Sequence, residues 1–432
     1  MNGGLALVGD FVQLPDGRVL TPGGYTIDAD TAAQVALSTP ANTRRGRESR
    51  SELYVAWCTE RALIPGDPGT VPDYCAHLSR QRHPAATIEA YASTLANLLA
   101  VNGKPLTELD RMLIRGIVNH RSAQDASDPD GAADALQSTA CTREGLRAMV
   151  ATLNRTTEVG KRDAVALILD WYLAGRSSEP GGLGVHDLVE TVAHVDADGG
   201  PVELAALEVT FRKTKTNAYG RTTSVVRLVE QTPEDSDICP VRAVRAWVQV
   251  LRDHDLHHSG PFLRGIHSSG KIGGTPGRHG GTCVGRTPAD PRRAGGYGGR
   301  SVRNLIRRCA RAADLVRPLE PQEVQLMSTT AEAAELAQAS TDTERETIRA
   351  DRRVRRRALR RGLVRITGHS MRRGLIQHLD ALGAPRHVIE QHARFAPGSK
   401  ALARYRVGLL PWAENPTLLM RHRQQPAGGR PR

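Results

Sequence analysis

The sequence has few aromatic residues, no closely spaced cysteines and no long apolar runs. Phe, Trp and Tyr together make up 4% of its 432 residues, so the core must rest on aliphatic side chains, a composition typical of helices. The six cysteines are scattered without a C-x-x-C pair, which is typical of reduced thiols. Neither a membrane-spanning stretch nor a signal peptide is recognisable. We therefore expect a cytoplasmic protein without a membrane partner.

Positive charge is the strongest feature of the composition. The formal net charge is +13 and the sequence pI is about 9.9. Clustered Lys and Arg favour a polyanionic partner, because binding releases counterions from its phosphates. Nucleic acid is the expected partner, and an anionic membrane surface is the weaker alternative. The length of the chain predicts two domains with loosely folded additions.

The spacing of apolar residues divides the chain into five parts. They are a weakly ordered N-terminal arm at 1–42, a four-helix bundle at 43–124, a linker at 125–137, a larger domain at 138–415, and a basic tail at 416–432. Within the arm, the Asp16-Gly17 pair is compatible with a short hairpin.

The larger domain combines helices with a small sheet. Alternating apolar residues predict strands at 204–212 and 224–228, joined by a polar turn. Residues 260–299 are rich in glycine and poor in core residues, which predicts a long mobile loop. Residues 314–365 form a charged insert whose arginine run, 352–361, is either a solvated helix face or a nucleic-acid contact. The predicted fold class is mainly α with a small β-sheet (α+β).

Five residues together supply the parts that a metal-free phosphodiester transfer needs. They are Arg176, Lys215, His369, Arg372 and Tyr405. Each alone is typical of ordinary structure, such as a surface arginine or a half-buried tyrosine. Two guanidiniums suit the charged oxygens of a phosphoryl transition state. A tyrosine hydroxyl can attack phosphorus and form a covalent intermediate, so rejoining the strand needs no ATP.

The departing oxygen of the broken strand also needs a proton. A lysine close to several arginines has a lowered pKa, which makes Lys215 the candidate acid, with His369 as an assisting acid or base. No cofactor or metal is predicted. The segment 265–272 nearly matches a phosphate-binding loop, but Ile272 replaces the required Ser or Thr. The histidines at 254, 257 and 258, taken with Cys239, match no standard zinc spacing.

These motifs resemble the catalytic motifs of the tyrosine recombinases, or phage integrases. The family's Arg-x-x-Glu, Thr-Lys-Thr, His-x-x-Arg and C-terminal Tyr motifs are matched here by Arg176 and Glu179, by Lys215, by His369 and Arg372, and by Tyr405. The segment 238–243 also resembles actinobacterial-type integrases. The likeness covers residues 43–408.

The resemblance implies a site-specific recombinase that integrates or excises DNA through a 3'-phosphotyrosyl intermediate. Residues 43–124 would be its core-binding domain and residues 138–415 its catalytic domain, the two enclosing double-stranded DNA. A homo-tetramer would act across two DNA sites, and an accessory DNA-bending or directionality factor could assist it.

The chain departs from the family pattern at two points. Before the nucleophile the family has a His or Trp that packs on the phosphate, and here either Phe395 or His392 takes that place. The insert at 314–365 is also longer than the family's equivalent. A type IB topoisomerase or telomere resolvase is one alternative, and a catalytically silent DNA-binding protein of the same fold is another.

Overall fold

The computed structural model describes residues 12–14, 16–21, 24–38, 41–127, 136–197, 200–212, 222–273, 295–403 and 405. The fold is mainly α-helical with two three-stranded antiparallel sheets, so the predicted fold class is confirmed. The chain divides into two compact units. Unit 1 comprises Met1–Gln137 and Pro318–Leu363, and unit 2 comprises Ser138–Arg317 and Val364–Arg432.

The elements follow one another along the chain. The strands are β1 (Val12–Gln13), β2 (Arg18–Leu20), β3 (Thr26–Asp28), β4 (Leu188–Ala197), β5 (Gly200–Phe211) and β6 (Ser224–Val229). The helices are α1 (Ala29–Ser38), α2 (Ala41–Glu60), α3 (Thr70–Arg80), α4 (Ala85–Val101), α5 (Glu108–Ala126), α6 (Arg143–Ala151), α7 (Glu158–Tyr172), α8 (Pro240–Asp253), α9 (Gly299–Ala312), α10 (Pro321–Met327), α11 (Thr329–Gln338), α12 (Asp342–Gly362), α13 (Gly368–Ala381), α14 (Arg386–His392) and α15 (Lys400–Ala403). None of the described helices is long and apolar enough to cross a membrane.

The N-terminal arm is regularly folded where it is described. Strands β1, β2 and β3 form an antiparallel sheet, and Val12 pairs with Leu20 across the turn that contains Asp16 and Gly17. Gly17 has a φ of 82°, a left-handed conformation that glycine adopts without strain. The hairpin proposed from Asp16-Gly17 is therefore present, and helix α1 follows it.

Helices α2 to α5 form the core of unit 1 over the range predicted for the bundle. Tyr54, Cys58, Ile88 and Leu95 are completely buried in it. The hydroxyl of Thr107 accepts a hydrogen bond from the backbone N–H of Asp110 at 3.1 Å and so caps α5. Helix α5 extends two residues beyond the predicted end of the bundle, and residues 128–135 of the expected linker lie outside the described residues.

The charged insert folds with unit 1 and not with the domain whose sequence surrounds it. The sequence analysis placed residues 314–365 within the larger domain, whereas Pro318–Leu363 belongs to unit 1. A guanidinium N–H of Arg353 on α12 donates to the backbone carbonyl of Gln81, 272 positions away. Glu346 on the same helix lies 3.1 Å from Nδ1 of His77. Contacts between such distant segments leave no local pattern in the sequence.

Unit 2 packs its helices around the sheet β4–β5–β6. Strand β4 pairs with β5 from Leu188–Val209 to Ala197–Gly200, and β5 pairs with β6. The sequence analysis predicted β5 and β6 but missed β4. Val189 and Val192 lie on opposite faces of β4 and are 53% and 50% exposed, so β4 has no alternation of buried and exposed residues to reveal it.

The predicted mobile loop at 260–299 is partly core. Phe262, Leu263 and Ile272 are each only 1% exposed, and the buried Arg264 guanidinium donates to the Gly273 carbonyl at 2.9 Å. Ile266 pairs with Ile272 across a tight turn, so the near match to a phosphate-binding loop lacks the strand-to-helix geometry such loops need. Residues 274–294 of this range lie outside the described residues.

Candidate active site

Arg176 lies in the turn that follows α7 and is held by Glu179. Helix α7 is buried throughout its second half because its side chains are almost all apolar. The backbone N–H of Arg176 donates to Glu179 Oε2 at 3.0 Å, and its guanidinium donates to Oε1 at 2.8 Å. The Glu179 carboxylate therefore binds both the backbone and the guanidinium of Arg176, whose side chain is 19% exposed.

Two helices begin against this turn through close glycine contacts. A Cβ added to Gly299, the first residue of α9, would lie 2.7 Å from the Cα of Ser178. A Cβ added to Gly368, the first residue of α13, would lie 2.6 Å from the Oγ of Ser177. Helix N-termini carry partial positive charge, so their convergence adds to the positive potential around Arg176.

Glu179 bridges two arginines from distant parts of the chain. Its Oε2 accepts a hydrogen bond from Arg394 at 2.8 Å, and both side chains are 5% exposed or less. Burial alone raises the pKa of a carboxyl, but the Arg394 charge, followed by the bonds and charge of Arg176, outweighs it and lowers the pKa of Glu179. Glu179 is therefore an ionised carboxylate that fixes both guanidiniums.

Arg372 lies in the first turns of α13 and is completely buried. Its guanidinium donates to the backbone carbonyls of Ala174 and Ala393, each at 2.6 Å. Its Nε has no hydrogen-bond partner among the described residues. Burial and the nearby charge of Arg176 lower the pKa of Arg372 to about 10, so it remains protonated at neutral pH. The two arginines named by the sequence analysis thus lie in one site.

Tyr405 and Phe395 pack over the Arg372 guanidinium. The guanidinium carbon is 4.3 Å from the centre of the Phe395 ring and 5.5 Å from the centre of the Tyr405 ring. The two rings meet edge to face, with centres 5.5 Å apart. The Tyr405 backbone is held by a hydrogen bond from its N–H to the Leu402 carbonyl at 2.9 Å.

His392 is turned away from these rings. Its Nε2 lies 2.7 Å from the backbone carbonyl of Tyr172 at the end of α7, and burial lowers the pKa of His392. Of the two candidates for the His or Trp position, Phe395 is the one that contacts both Arg372 and Tyr405. Its ring can pack there but cannot donate a hydrogen bond.

The two candidate proton donors are less well placed by the structure. His369 is exposed in the first turn of α13, and its backbone N–H donates to Thr367 Oγ1 at 3.3 Å. It precedes Arg372 by three residues, so the two share one side of the helix. Lys215 lies outside the described residues. The structure therefore brings together Arg176, Arg372 and Tyr405, with His369 on the adjoining helix turn.

Two residues of this site were missed by the sequence analysis. Arg394 adopts a left-handed backbone with φ of 56°, binds Glu179, and lies with its guanidinium carbon 4.0 Å from the centre of the Phe211 ring. Asp170 is completely buried on α7, and neither carboxyl oxygen has a hydrogen-bond partner among the described residues. A single acidic residue within the apolar segment of α7 was the available signal for Asp170, whereas nothing in the sequence distinguished Arg394.

Burial disfavours the negative charge of Asp170. Burial, and then the charge of Glu179, raise the pKa of Asp170 well above its ordinary value, although Arg394 and Arg372 oppose this. Among the described residues of the site, three arginines thus face two carboxyl groups, Asp170 and Glu179, and burial disfavours the charge of the first. The site has excess positive charge, which suits an anionic group such as a phosphate.

The histidines that the sequence analysis considered for zinc do not meet Cys239. Asp255, His257 and His258 have ligand atoms within 4.8 Å of one another, but they are near neighbours in a single turn. Cys239 is buried, and its Sγ accepts a hydrogen bond from the backbone N–H of Gln231 at 3.4 Å. We assign no metal to this group.

Comparison with known proteins does not assign the chain to a family. No family model matches the sequence, and no curated protein matches it significantly. The functional argument therefore depends on the residues of the site and their geometry.

Proposed function

We propose that the protein is a tyrosine-type site-specific recombinase that cleaves and rejoins duplex DNA through Tyr405. The observation that carries the proposal is the position of the Tyr405 ring over the Arg372 guanidinium, 5.5 Å from its carbon, in a site with excess positive charge. Arg176 and Arg372 come from separate segments and share this site. A tyrosine beside two oriented guanidiniums matches what attack on a phosphodiester requires.

In the proposed reaction, the Tyr405 hydroxyl passes its proton to His369 as the assisting base, and its oxygen attacks a backbone phosphorus. The bond from phosphorus to the 5' oxygen breaks, which leaves a 3'-phosphotyrosyl link and a free 5' hydroxyl. Arg176 and Arg372 stabilise the charge on the non-bridging oxygens. Lys215 or His369 gives the departing oxygen its proton. Attack by a 5' hydroxyl of the partner strand reverses these steps and releases Tyr405, with no change in the number of phosphodiester bonds.

The partners follow from this chemistry. Strand exchange needs two duplex sites, and a homo-tetramer would supply one Tyr405 for each strand cut. An accessory DNA-bending or directionality factor would select integration or excision. The reaction would take place in the cytoplasm. A silent DNA-binding protein is the second candidate, favoured by Phe395, which cannot donate a hydrogen bond to a phosphate.

Trapping the covalent intermediate tests the proposal. Wild type is incubated with labelled, nicked duplexes from the DNA that flanks the gene, with EDTA present, and run on a denaturing gel. Wild type is expected to form an adduct and Tyr405→Phe to form none, with duplex binding unchanged. Duplex binding without any adduct would favour the silent alternative.

Tyr297→Phe is the matched control. Tyr297 lies in the glycine-rich range 260–299, for which the sequence predicted a mobile loop. In the structure the Arg162 guanidinium carbon lies 4.1 Å from the centre of the Tyr297 ring. The backbone N–H of Tyr297 donates a hydrogen bond to the Leu263 carbonyl at 2.8 Å. Tyr297 is therefore held in place, but by Arg162 and not by Arg372. An adduct that vanishes in Tyr297→Phe and persists in Tyr405→Phe would assign the nucleophile to Tyr297.

A further inference from the structure

Unit 1 contains a cavity of about 440 Å³ between α12 and the ends of α3 and α5. The charged residues that line it are Arg82, Arg121, Arg353, Arg357, Arg361 and Asp351. Asp351 is the one acidic residue among the described lining residues, and it also lies 3.4 Å from Arg355, which is not part of the lining. The cavity therefore concentrates positive charge.

Helix α12 uses its arginines on two different sides. Arg352 and Arg356 hold the insert together, because their guanidiniums donate to the Leu326 carbonyl at 2.9 Å and 2.7 Å. They also pair with Glu335 and Glu332, each at 2.5 Å. This side of α12 therefore stabilises the packing of the insert's own helices.

The other side of α12 faces the cavity. Arg353, Arg357 and Arg361 are four residues apart, a spacing that places side chains on one side of a helix. All three line the cavity, together with Arg121, whose guanidinium pairs with Asp125 at 2.5 Å. Asp125 does not line the cavity, so this wall of the cavity is formed mainly by arginine side chains.

Arg353 lies close to other positive charges of the same helix. Burial lowers the pKa of Arg353, and the charges of Arg349 and Arg356 lower it further, although Glu332 opposes them. Burial, followed by the positive charge of Arg353, lowers the pKa of His83 to about 4. An anion bound in the cavity would relieve this repulsion.

We infer that the arginine-lined cavity binds successive phosphates of a DNA backbone, so that the insert adds a non-catalytic DNA contact to unit 1. The inference rests on the proposed function in taking DNA as the polyanion. Arg353 and Arg361 are separated by about 12 Å along the helix axis, at 1.5 Å per residue. A DNA strand carries one phosphate per roughly 3.4 Å of its axis, so a row of this length can face several phosphates. No aromatic residue is among the described lining residues, which favours the backbone over a stacked base.

Removing equal charge inside and outside the cavity tests the inference. The full-length chain is compared with Arg357→Gln/Arg361→Gln, which alters the cavity, and with Arg115→Gln/Arg360→Gln, whose side chains are exposed outside it. Duplex affinity is measured across a salt series. Each phosphate contact contributes a slope of about −0.9 in log–log form, so the cavity variant is expected to reduce the slope by about one to two units and the control to leave it unchanged.

Three results would overturn the inference. Equal losses in both variants would mean that only net charge matters, and an unchanged slope in the cavity variant would remove the contact. Protection of wild type against thermal unfolding by inorganic phosphate, lost in the cavity variant without a change in slope, would assign the cavity to a free anion. Adduct formation on nicked DNA is measured in parallel and is expected in both variants. Its absence in wild type would contradict the proposed function, while the salt slopes would still report on the cavity.

Discussion

Arg372 lies beneath Tyr405, with its guanidinium carbon 5.5 Å from the centre of the tyrosine ring. The arginine side chain is completely buried, with Phe395 closer still at 4.3 Å. A phosphate that is to be clamped by Arg372 must therefore displace at least one of these rings. The proposed reaction would therefore require a local rearrangement around Tyr405.

The first prediction concerns this cover over Arg372. Tyr405→Ala removes one ring, so an arginine-selective reagent such as phenylglyoxal is expected to modify Arg372 several-fold faster than in wild type. Tyr405→Phe keeps the ring and should leave the rate unchanged. Peptide mapping by mass spectrometry measures the rate, with the exposed Arg115 as an internal reference. Equal rates at Arg372 in all three proteins would show that the Tyr405 ring does not shield it.

The second prediction concerns the charge on the transferred phosphate. Arg176→Gln keeps a polar side chain but removes the cation, and is expected to slow adduct formation by about 10²- to 10³-fold, the usual effect of removing one transition-state donor. Single-turnover cleavage of nicked DNA measures the rate. A variant that folds, binds DNA and cleaves at the wild-type rate would exclude Arg176 from the clamp.

The third prediction concerns the Glu179 carboxylate between Arg176 and Arg394. Glu179→Gln removes the negative charge that balances two buried guanidiniums and should lower the free energy of unfolding by about 3 kcal/mol at pH 7. The pKa of Glu179 is lowered on folding, so its stabilising effect is present above the ordinary value of 4.5 and is lost as the pH falls below it. Urea unfolding of wild type and variant at a series of pH values should show the difference shrinking below pH 4.5. A difference independent of pH would contradict an ionised Glu179.

The fourth prediction has the opposite sign and concerns Asp170. The pKa of Asp170 is raised well above its ordinary value of 3.8, so as the pH rises Asp170 ionises more readily in the unfolded chain than in the folded chain, which favours unfolding. Asp170→Asn has no proton to lose and should be more stable than wild type at pH 7, by about 1.4 kcal/mol for each unit of raised pKa. The two proteins should be equally stable well below pH 3.8. A loss of stability in Asp170→Asn at neutral pH would instead indicate that Asp170 is ionised.

The sequence by itself determined the helical character of the protein and pointed to five residues that meet in the site, Arg176, Glu179, Arg372, Phe395 and Tyr405. An apolar run specifies α7 wherever it lies in the chain, and the Thr107 and Thr142 hydroxyls cap α5 and α6 through bonds within their own first turns. Arg176, Arg372 and Tyr405 could be named because each belongs to a short motif. Patterns of this kind depend on near neighbours along the chain, so they can be recognised without knowledge of the fold.

The tertiary structure alone decided which distant residues meet. Arg394 pairs with Glu179 across 215 positions, and Arg353 reaches Gln81 across 272, so no local spacing predicts either contact. Packing of α12 beside the bundle places the insert in unit 1 and creates the arginine-lined cavity. The raised pKa of Asp170 likewise follows from complete burial and from the charge of Glu179. Contacts, burial and the pKa values that depend on them are properties of the folded chain, because they arise from groups that only folding brings together.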